Sequence, residues 1–97
     1  MIIISQDEGN TLLEYGEALL EAVVTGAPGP PPPRIALLDN EYGAFATLRI
    51  GENLRGCIGN FAGSGSLRGI LPRVIKEAAI RDPRFPPLTA AELPEVT

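Results

Sequence analysis

Apolar and polar positions along the chain follow two different periods, and each period predicts a different element. Between residues 10 and 25 the apolar positions recur every three or four residues, which is typical of an amphipathic helix. Asn10 or Thr11 can cap this helix at its start, and Gly26 can end it. We therefore predict a first helix over residues 10–25 with its glutamates on the solvent side.

The centre of the chain changes to a period of two. From Ala44 to Ile50 apolar residues alternate with Phe45, Thr47 and Arg49, which favours a half-buried strand. A second strand-like run from Leu54 to Phe61 follows after three residues that include Gly51. Two such runs joined by a short glycine-containing turn predict an antiparallel β-hairpin.

Beyond the hairpin the helical period returns. Ser66 can cap a second helix, which either begins at Leu67 and is kinked by Pro72 or begins near Ile70 with Pro72 in its first turn. Asp82-Pro83 ends it, because a residue before proline avoids the helical region.

Two further segments complete the outline. Thr89 and Glu92 have the spacing of a capping box, which predicts a short third helix, and Val96-Thr97 resemble the start of a strand. The Pro/Gly-rich stretch 26–34 is interpreted as an internal linker, although a polyproline-binding partner is an alternative. The predicted fold class is α+β, with two main helices and a short third packed on an antiparallel hairpin, in a single domain over residues 1–97.

Charge and composition narrow the function. The chain has 97 residues and a net charge of −4, and its second half is balanced, with seven acids and seven bases from Ile35 onward. This argues against non-specific nucleic-acid binding, which needs an excess of basic residues. No apolar run approaches the roughly 20 residues of a membrane span. A single cysteine favours a reducing, cytoplasmic location.

The candidate chemistry centres on Leu54-Arg55-Gly56-Cys57-Ile58-Gly59. Arg55 and Cys57 are two apart in a strand, so they project to one side, and a cation near a thiol favours the nucleophilic thiolate. Gly56 and Gly59 leave room for a ligand or another backbone. The alternative is that Cys57 is a small buried apolar residue, which is a frequent role for a free cysteine.

A second candidate is an anion clamp of Arg55 and Arg84, whose planar guanidinium groups suit carboxylate or phosphate. Against it, each arginine can simply pair with an acid such as Asp82 or Glu77, or with a carbonyl. Asp82 itself suits a helix-end hydrogen-bond acceptor better than a general base. Phe85 is expected to pack with Leu88 beneath the helices, and a binding role for an exposed Phe85 is the alternative.

Other kinds of site find less support. Residues 59–66 could cradle a phosphate through backbone N–H groups, but a plain loop fits them better. With one cysteine and no histidine the chain cannot fill a metal shell by itself or form a Cys–His dyad, so we predict no metal and no cofactor.

LRGCIG at residues 54–59 and AAIRDPRFPPLTAAELPEV at residues 78–96 resemble the AMMECR domain family, also called AmmeMemoRadiSam system protein A. The resemblance implies a mixed α+β domain with an antiparallel sheet. It also implies a place beside a Memo-like metalloenzyme-related protein and a radical-SAM protein. It supplies no established reaction, so whether the chain is an enzyme stays open. We expect the chain to carry either a thiol-based catalytic or anion-binding site at LRGCIG, or a non-catalytic adaptor surface.

Members of this family continue past the ELPEV segment with further strands, whereas this chain stops at Thr97. We therefore expect it to correspond to the N-terminal half of a family domain, with an unpaired sheet edge. Such a chain should be marginally stable, form a homo-oligomer through that edge, or be completed by a missing piece.

Overall fold

A computed structural model describes residues 6–41, 43–60 and 65–97. Its elements are α1 (Gln6–Thr25), a 3-10 helix (Ala36–Asp39), β1 (Ala44–Ile50), β2 (Asn53–Asn60), α2 (Leu67–Ile80) and a C-terminal 3-10 helix (Ala90–Glu95). The strands form a two-stranded antiparallel sheet. The predicted α+β class, with a hairpin, two main helices and a short third, is confirmed.

Helix α1 begins four residues earlier than the sequence pattern predicts. Asp7 and Glu8 lie in its first turn, where negative charge is favoured by the positive end of the helix dipole. Because these residues are polar, the first turn adds nothing to the apolar periodicity from which the helix was predicted. Its predicted end is confirmed, since Gly26 follows with a φ of 76°, the left-handed conformation that commonly ends a helix.

Strands β1 and β2 form the predicted hairpin around Gly51, which has a φ of 61°. Thr47 pairs with Cys57 and Leu48 with Gly56, but Arg49 pairs with Leu54. Arg55 is therefore an extra residue without a partner in β1, a β-bulge that the sequence pattern did not show. Phe61, the predicted last residue of the second strand, lies outside the described residues.

Helix α2 begins at Leu67, the first of the two predicted starts, and Pro72 lies inside it. Ser66 occupies the N-cap position, but its side chain makes no capping hydrogen bond. The helix packs on both strands, and Val74 and Ala78 on its inner face are almost completely buried. It lies so close to the sheet that a Cβ on Gly56 would overlap the carbonyl of Ala78. Gly56 thus admits a helix backbone.

The C-terminal segment closes the fold. The predicted capping box at Thr89 and Glu92 is present, but it opens a 3-10 helix, with Pro94 inside it, instead of an α-helix. Val96 then forms an isolated antiparallel bridge with Ile50, which confirms the predicted strand start. The stretch 26–34 contains no helix or strand, and the short 3-10 helix that follows it was not predicted. Among the described residues no helix is long and apolar enough to cross a membrane.

Candidate functional site

The structure brings several predicted site residues together along the outer edge of β2. Asp82, two residues after the end of α2, is 4% exposed and accepts hydrogen bonds from two backbone N–H groups. Its Oδ2 lies 3.0 Å from the nitrogen of Cys57, and its Oδ1 lies 3.1 Å from the nitrogen of Arg84. Asp82 is therefore a backbone acceptor that joins the end of α2 to the cysteine-bearing strand.

Arg84 completes this contact with its guanidinium group. Its Nε donates to Asp82 Oδ1 at 3.0 Å and its Nη2 to Oδ2 at 2.7 Å, and Nη2 also reaches the carbonyl of Cys57 at 3.4 Å. The hydrogen bonds from Arg84, followed by that from Cys57, hold the pKa of Asp82 well below its usual range. The hydrogen bond to Asp82 raises the pKa of Arg84. Asp82 is thus ionised and fully engaged, which does not suit a general base near neutral pH.

Together, Asp82 and Arg84 replace a neighbouring strand. A carboxylate oxygen receives the N–H of Cys57, and a guanidinium nitrogen donates to the C=O of the same residue. These are the two backbone groups that an adjacent strand would otherwise satisfy. We call Cys57, Asp82 and Arg84 the edge cap.

The bulged Arg55 is held by a residue that the site prediction missed. Its Nε lies 2.8 Å and its Nη2 3.1 Å from the two carboxylate oxygens of Glu92. Glu92 also accepts from the backbone nitrogen and hydroxyl of Thr89, at 3.1 and 3.0 Å. The hydrogen bond from Arg55, followed by that from the Thr89 backbone, lowers the pKa of Glu92 to about 2. The sequence had indicated Glu92 only as part of a capping box and not as a partner of Arg55.

Arg55 was predicted as the activator of the thiol, and the structure places its guanidinium against Glu92. The hydrogen bond that Arg55 donates to that carboxylate is the largest cause of the raised pKa of Arg55. The ring of Phe85 lies near both arginines, with its centroid 5.9 Å from the Cζ of Arg55 and 5.5 Å from that of Arg84. These separations fall within the roughly 6 Å of a cation–π contact. Both guanidinium charges are therefore balanced by a carboxylate and neighbour an aromatic ring.

The thiol of Cys57 lies on the side of the hairpin opposite the helices. It is half-buried, and its Sγ is 3.5 Å from the hydroxyl oxygen of Thr47 on the paired strand. Beside this pair, Phe45 is 72% exposed, and its ring occupies the space above Gly59. Phe45, Thr47, Cys57 and Gly59 form what we call the outer face. The alternation of β1 had separated Phe45 and Thr47 from the core positions, without marking either as functional.

This geometry sets what the site can do chemically. It offers a half-exposed thiol and a hydroxyl, whereas the nearest acids are ionised and bound to arginine. Within residues 6–41, 43–60 and 65–97 there is no cluster of three or more residues able to hold a metal ion. A general base beside the thiol is likewise missing from the contacts of this part of the chain.

Similarity to known proteins was found by both sequence and structure. A protein of Methanothermobacter thermautotrophicus is 34% identical over 96% of this chain and 50% of its own length. Protein MJ0810 of Methanocaldococcus jannaschii is 30% identical over 99% of this chain and 49% of its own length. The uncharacterised protein PH0010 of Pyrococcus horikoshii has a crystal structure that matches with a TM-score of 0.80 at 29% identity, over 96% of this chain and 49% of that one.

The chain thus spans about half the length of the curated relatives that it matches. The sequence profile of the AMMECR1 family matches residues 13–97, which include both the edge cap and the outer face. On this evidence the chain belongs to the AMMECR1 family of uncharacterised proteins.

Proposed function

We propose that the chain is a protein-interaction module and that the outer face is its docking surface. The observation that carries this is the exposure of Phe45, 72%, on the side of the hairpin that neither α-helix covers. Exposed aromatic side chains held in place by their neighbours are frequent anchors of protein interfaces.

Gly59, which pairs with Phe45 across the hairpin, supports this role. A Cβ at position 59 would overlap the Phe45 ring, so only glycine lets the ring lie against β2. The ring is thereby held on the strand surface, and less conformational entropy is lost when a partner covers it.

The edge cap adds rigidity beside this surface. Asp82 and Arg84 hold both backbone groups of Cys57. Because their charges balance each other, this arrangement favours a fixed scaffold over a reaction centre. The Memo-like and radical-SAM proteins that the family resemblance implies are the partners that we propose for this surface.

Substitution of Phe45 tests the proposal. Phe45→Ser should weaken binding to a Memo-like or radical-SAM partner at least about tenfold, as expected for an interface anchor. Ala36→Ser is the control, because Ala36 is also an exposed apolar residue but lies in the 3-10 helix Ala36–Asp39 instead of on the hairpin. Isothermal titration calorimetry measures both. Equal binding by wild type and Phe45→Ser, or no binding by wild type, would reject the docking surface.

A second candidate function is thiol chemistry at Cys57. It is favoured by two observations: Cys57 is only half-buried, and its Sγ lies 3.5 Å from the hydroxyl oxygen of Thr47. In it, Cys57 would be the nucleophile, and Arg84 and Asp82 would form the wall of a cleft for a small anionic substrate. Iodoacetamide should then label Cys57 in the folded protein as fast as in urea. Labelling that appears only after denaturation would exclude this candidate. A Cys57→Ser variant that keeps partner binding but loses a turnover would support it.

A further inference from the structure

The segment between α1 and the 3-10 helix Ala36–Asp39 is rich in proline. Five of the ten prolines in the chain lie between residues 28 and 33. Each proline fixes its own φ at about −65° and holds the residue before it in extended backbone. That combination produces a polyproline II helix, which has about three residues per turn and no internal hydrogen bonds. Residues 27–35 accordingly contain no α-helix, 3-10 helix, strand or turn.

Burial along this segment repeats every three residues, as the polyproline II helix does. Pro30 and Pro33 are half-buried, so one of its three faces lies against the rest of the protein. The residues of the other two faces are all exposed: Pro28, Gly29, Pro31, Pro32 and Arg34. We call Pro28, Pro31, Pro32 and Arg34 the proline ridge.

The ridge is held in place near both of its ends. Arg68, in the first turn of α2, donates from Nη1 to the carbonyl of Pro33 at 3.4 Å and pairs with Asp39 Oδ1 at 3.1 Å. Near the start of the ridge, a Cβ added to Gly29 would lie 4.0 Å from Cδ2 of Leu19 on α1. A segment fixed in this way loses less conformational entropy when a partner binds it.

A free positive charge stands at the end of the ridge. Arg34 follows Pro31 by three residues, so the period of the helix puts both on the same exposed face. Within the described part of the chain, the ion pairs involve Arg55, Arg68 and Arg84 and leave Arg34 unpaired. Its guanidinium group is therefore available to a carboxylate of a partner.

We propose that the proline ridge is a ligand for a protein domain whose groove is lined by aromatic side chains and has an acidic residue at one end. Such grooves accept proline rings from successive turns, and a preformed polyproline II helix loses little entropy on entering them. Pairing of Arg34 with the acidic residue sets the direction in which the ridge lies in the groove. A spacer would need the stiffness of the prolines, but not an exposed face that ends in an unpaired cation. This surface is separate from the outer face, which lies on the hairpin.

The test uses a panel of purified SH3, WW and EVH1 domains, which bind proline-rich segments through aromatic-lined grooves. Each is titrated into the 15N-labelled 97-residue chain and followed by NMR. At least one domain should shift the amide signals of Gly29 and Arg34, which report on the ridge because proline has no N–H. The amide signals of Thr47 and Cys57 on the outer face should not move. Isothermal titration calorimetry then gives the affinity of the domain that binds.

Variants of this chain locate the contact. Pro31→Ala should weaken binding of that domain at least about tenfold, as expected for a residue at the centre of an interface. Pro87→Ala is the matched control, because Pro87 is an exposed proline outside the segment, and it should leave the affinity unchanged.

A second pair of variants tests the charge. Arg34→Ala should weaken binding about two- to fivefold, and this difference should shrink at high salt, as expected for an exposed ion pair. Arg73→Ala removes an exposed arginine from α2 and should have no effect.

Several results would overturn the proposal. One is a panel in which no domain shifts the signals of Gly29 and Arg34. Another is equal weakening by Pro31→Ala and Pro87→Ala, because the ridge would then not be the contact. Shifts confined to Thr47 and Cys57 would place the binding on the outer face instead, and equal affinities of Arg34→Ala and wild type would remove the acidic residue from the partner's groove.

Discussion

The outer edges of β1 and β2 carry the same kinds of backbone group, but they differ in how these groups are hydrogen-bonded within the described residues. On β2, the N–H and C=O of Cys57 are satisfied by Asp82 and Arg84. On β1, the corresponding groups of Thr47 have no backbone partner among the described residues. Two side chains from a segment after a helix can thus close a sheet edge without a further strand. The contrast separates an edge whose backbone groups are bound by side chains from an edge whose corresponding groups have no backbone partner in the described part of the chain.

Loss of the carboxylate on the closed edge should have the largest effect. Asp82→Ala leaves the N–H groups of Cys57 and Arg84 without their acceptor and frees the Arg84 side chain. We expect the melting temperature to fall by roughly 10 °C or more, since breaking a buried hydrogen-bond network is among the most damaging changes. Arg81→Ala, an exposed neighbour, is the control and should change it by less than about 2 °C. Thermal unfolding followed by circular dichroism measures both, and equal effects would refute the edge cap.

A glycine substitution tests how the closed edge is brought into register. In Gly56→Ala the new Cβ meets the carbonyl of Ala78, so α2 must move away and draw Asp82 from Cys57. We expect about 1–3 kcal/mol of destabilisation in urea unfolding.

Gly69→Ala supplies the matched comparison, because Gly69 lies on α2 with nothing within 4 Å of an added Cβ. This variant should be up to about 1 kcal/mol more stable than wild type. If both variants were destabilised equally, the close contact between α2 and β2 would not be the cause.

Low pH should destabilise the ion pairs of Asp82 and Glu92. The pKa of Glu92 is lowered from 4.5 to about 2 in the folded chain, and that of Asp82 is lowered from 3.8. A lowered folded-state pKa means that the unfolded chain binds more protons, so the stabilisation is present above the unfolded-state value and is lost as the pH falls toward the folded-state value. The free energy of unfolding should therefore decrease from about pH 5 to about pH 2.

Two variants divide this acid dependence. Glu92→Gln and Asp82→Asn should each flatten the slope of stability against pH, while Glu52→Gln, at the exposed hairpin turn, should leave it unchanged. Urea titrations at intervals of pH provide the slopes. An unaltered slope in both site variants would show that these carboxylates do not control acid unfolding.

Much of the fold follows from local pattern, because the period of apolar residues and the turn-forming glycines act within a few residues. The hairpin, α2 and the capping box at Thr89 and Glu92 were predicted for this reason. The start of α1 was missed, because Asp7 and Glu8 stabilise it by charge and carry no apolar period.

The sequence selected candidate residues that lie close together in the structure, but it did not predict their contacts. Cys57, Asp82, Arg84 and Phe85 were singled out, and contacts of the structure join them. The ion pair between Arg55 and Glu92 was not predicted, because Arg55 lies at a β-bulge. A bulge is a property of two paired strands, and the sequence of either strand alone does not show it. Which edge is closed was also beyond the sequence, since it depends on where α2 delivers Asp82.

Amide exchange at one cross-strand pair tests the central claim most directly. In the 97-residue chain alone, the amide of Cys57 should exchange at least about a hundredfold more slowly than that of Thr47, because among the described residues only the amide of Cys57 has a buried acceptor. Hydrogen–deuterium exchange followed by NMR reports both. Equal rates, or slower exchange at Thr47, would contradict the distinction between a closed and an open edge.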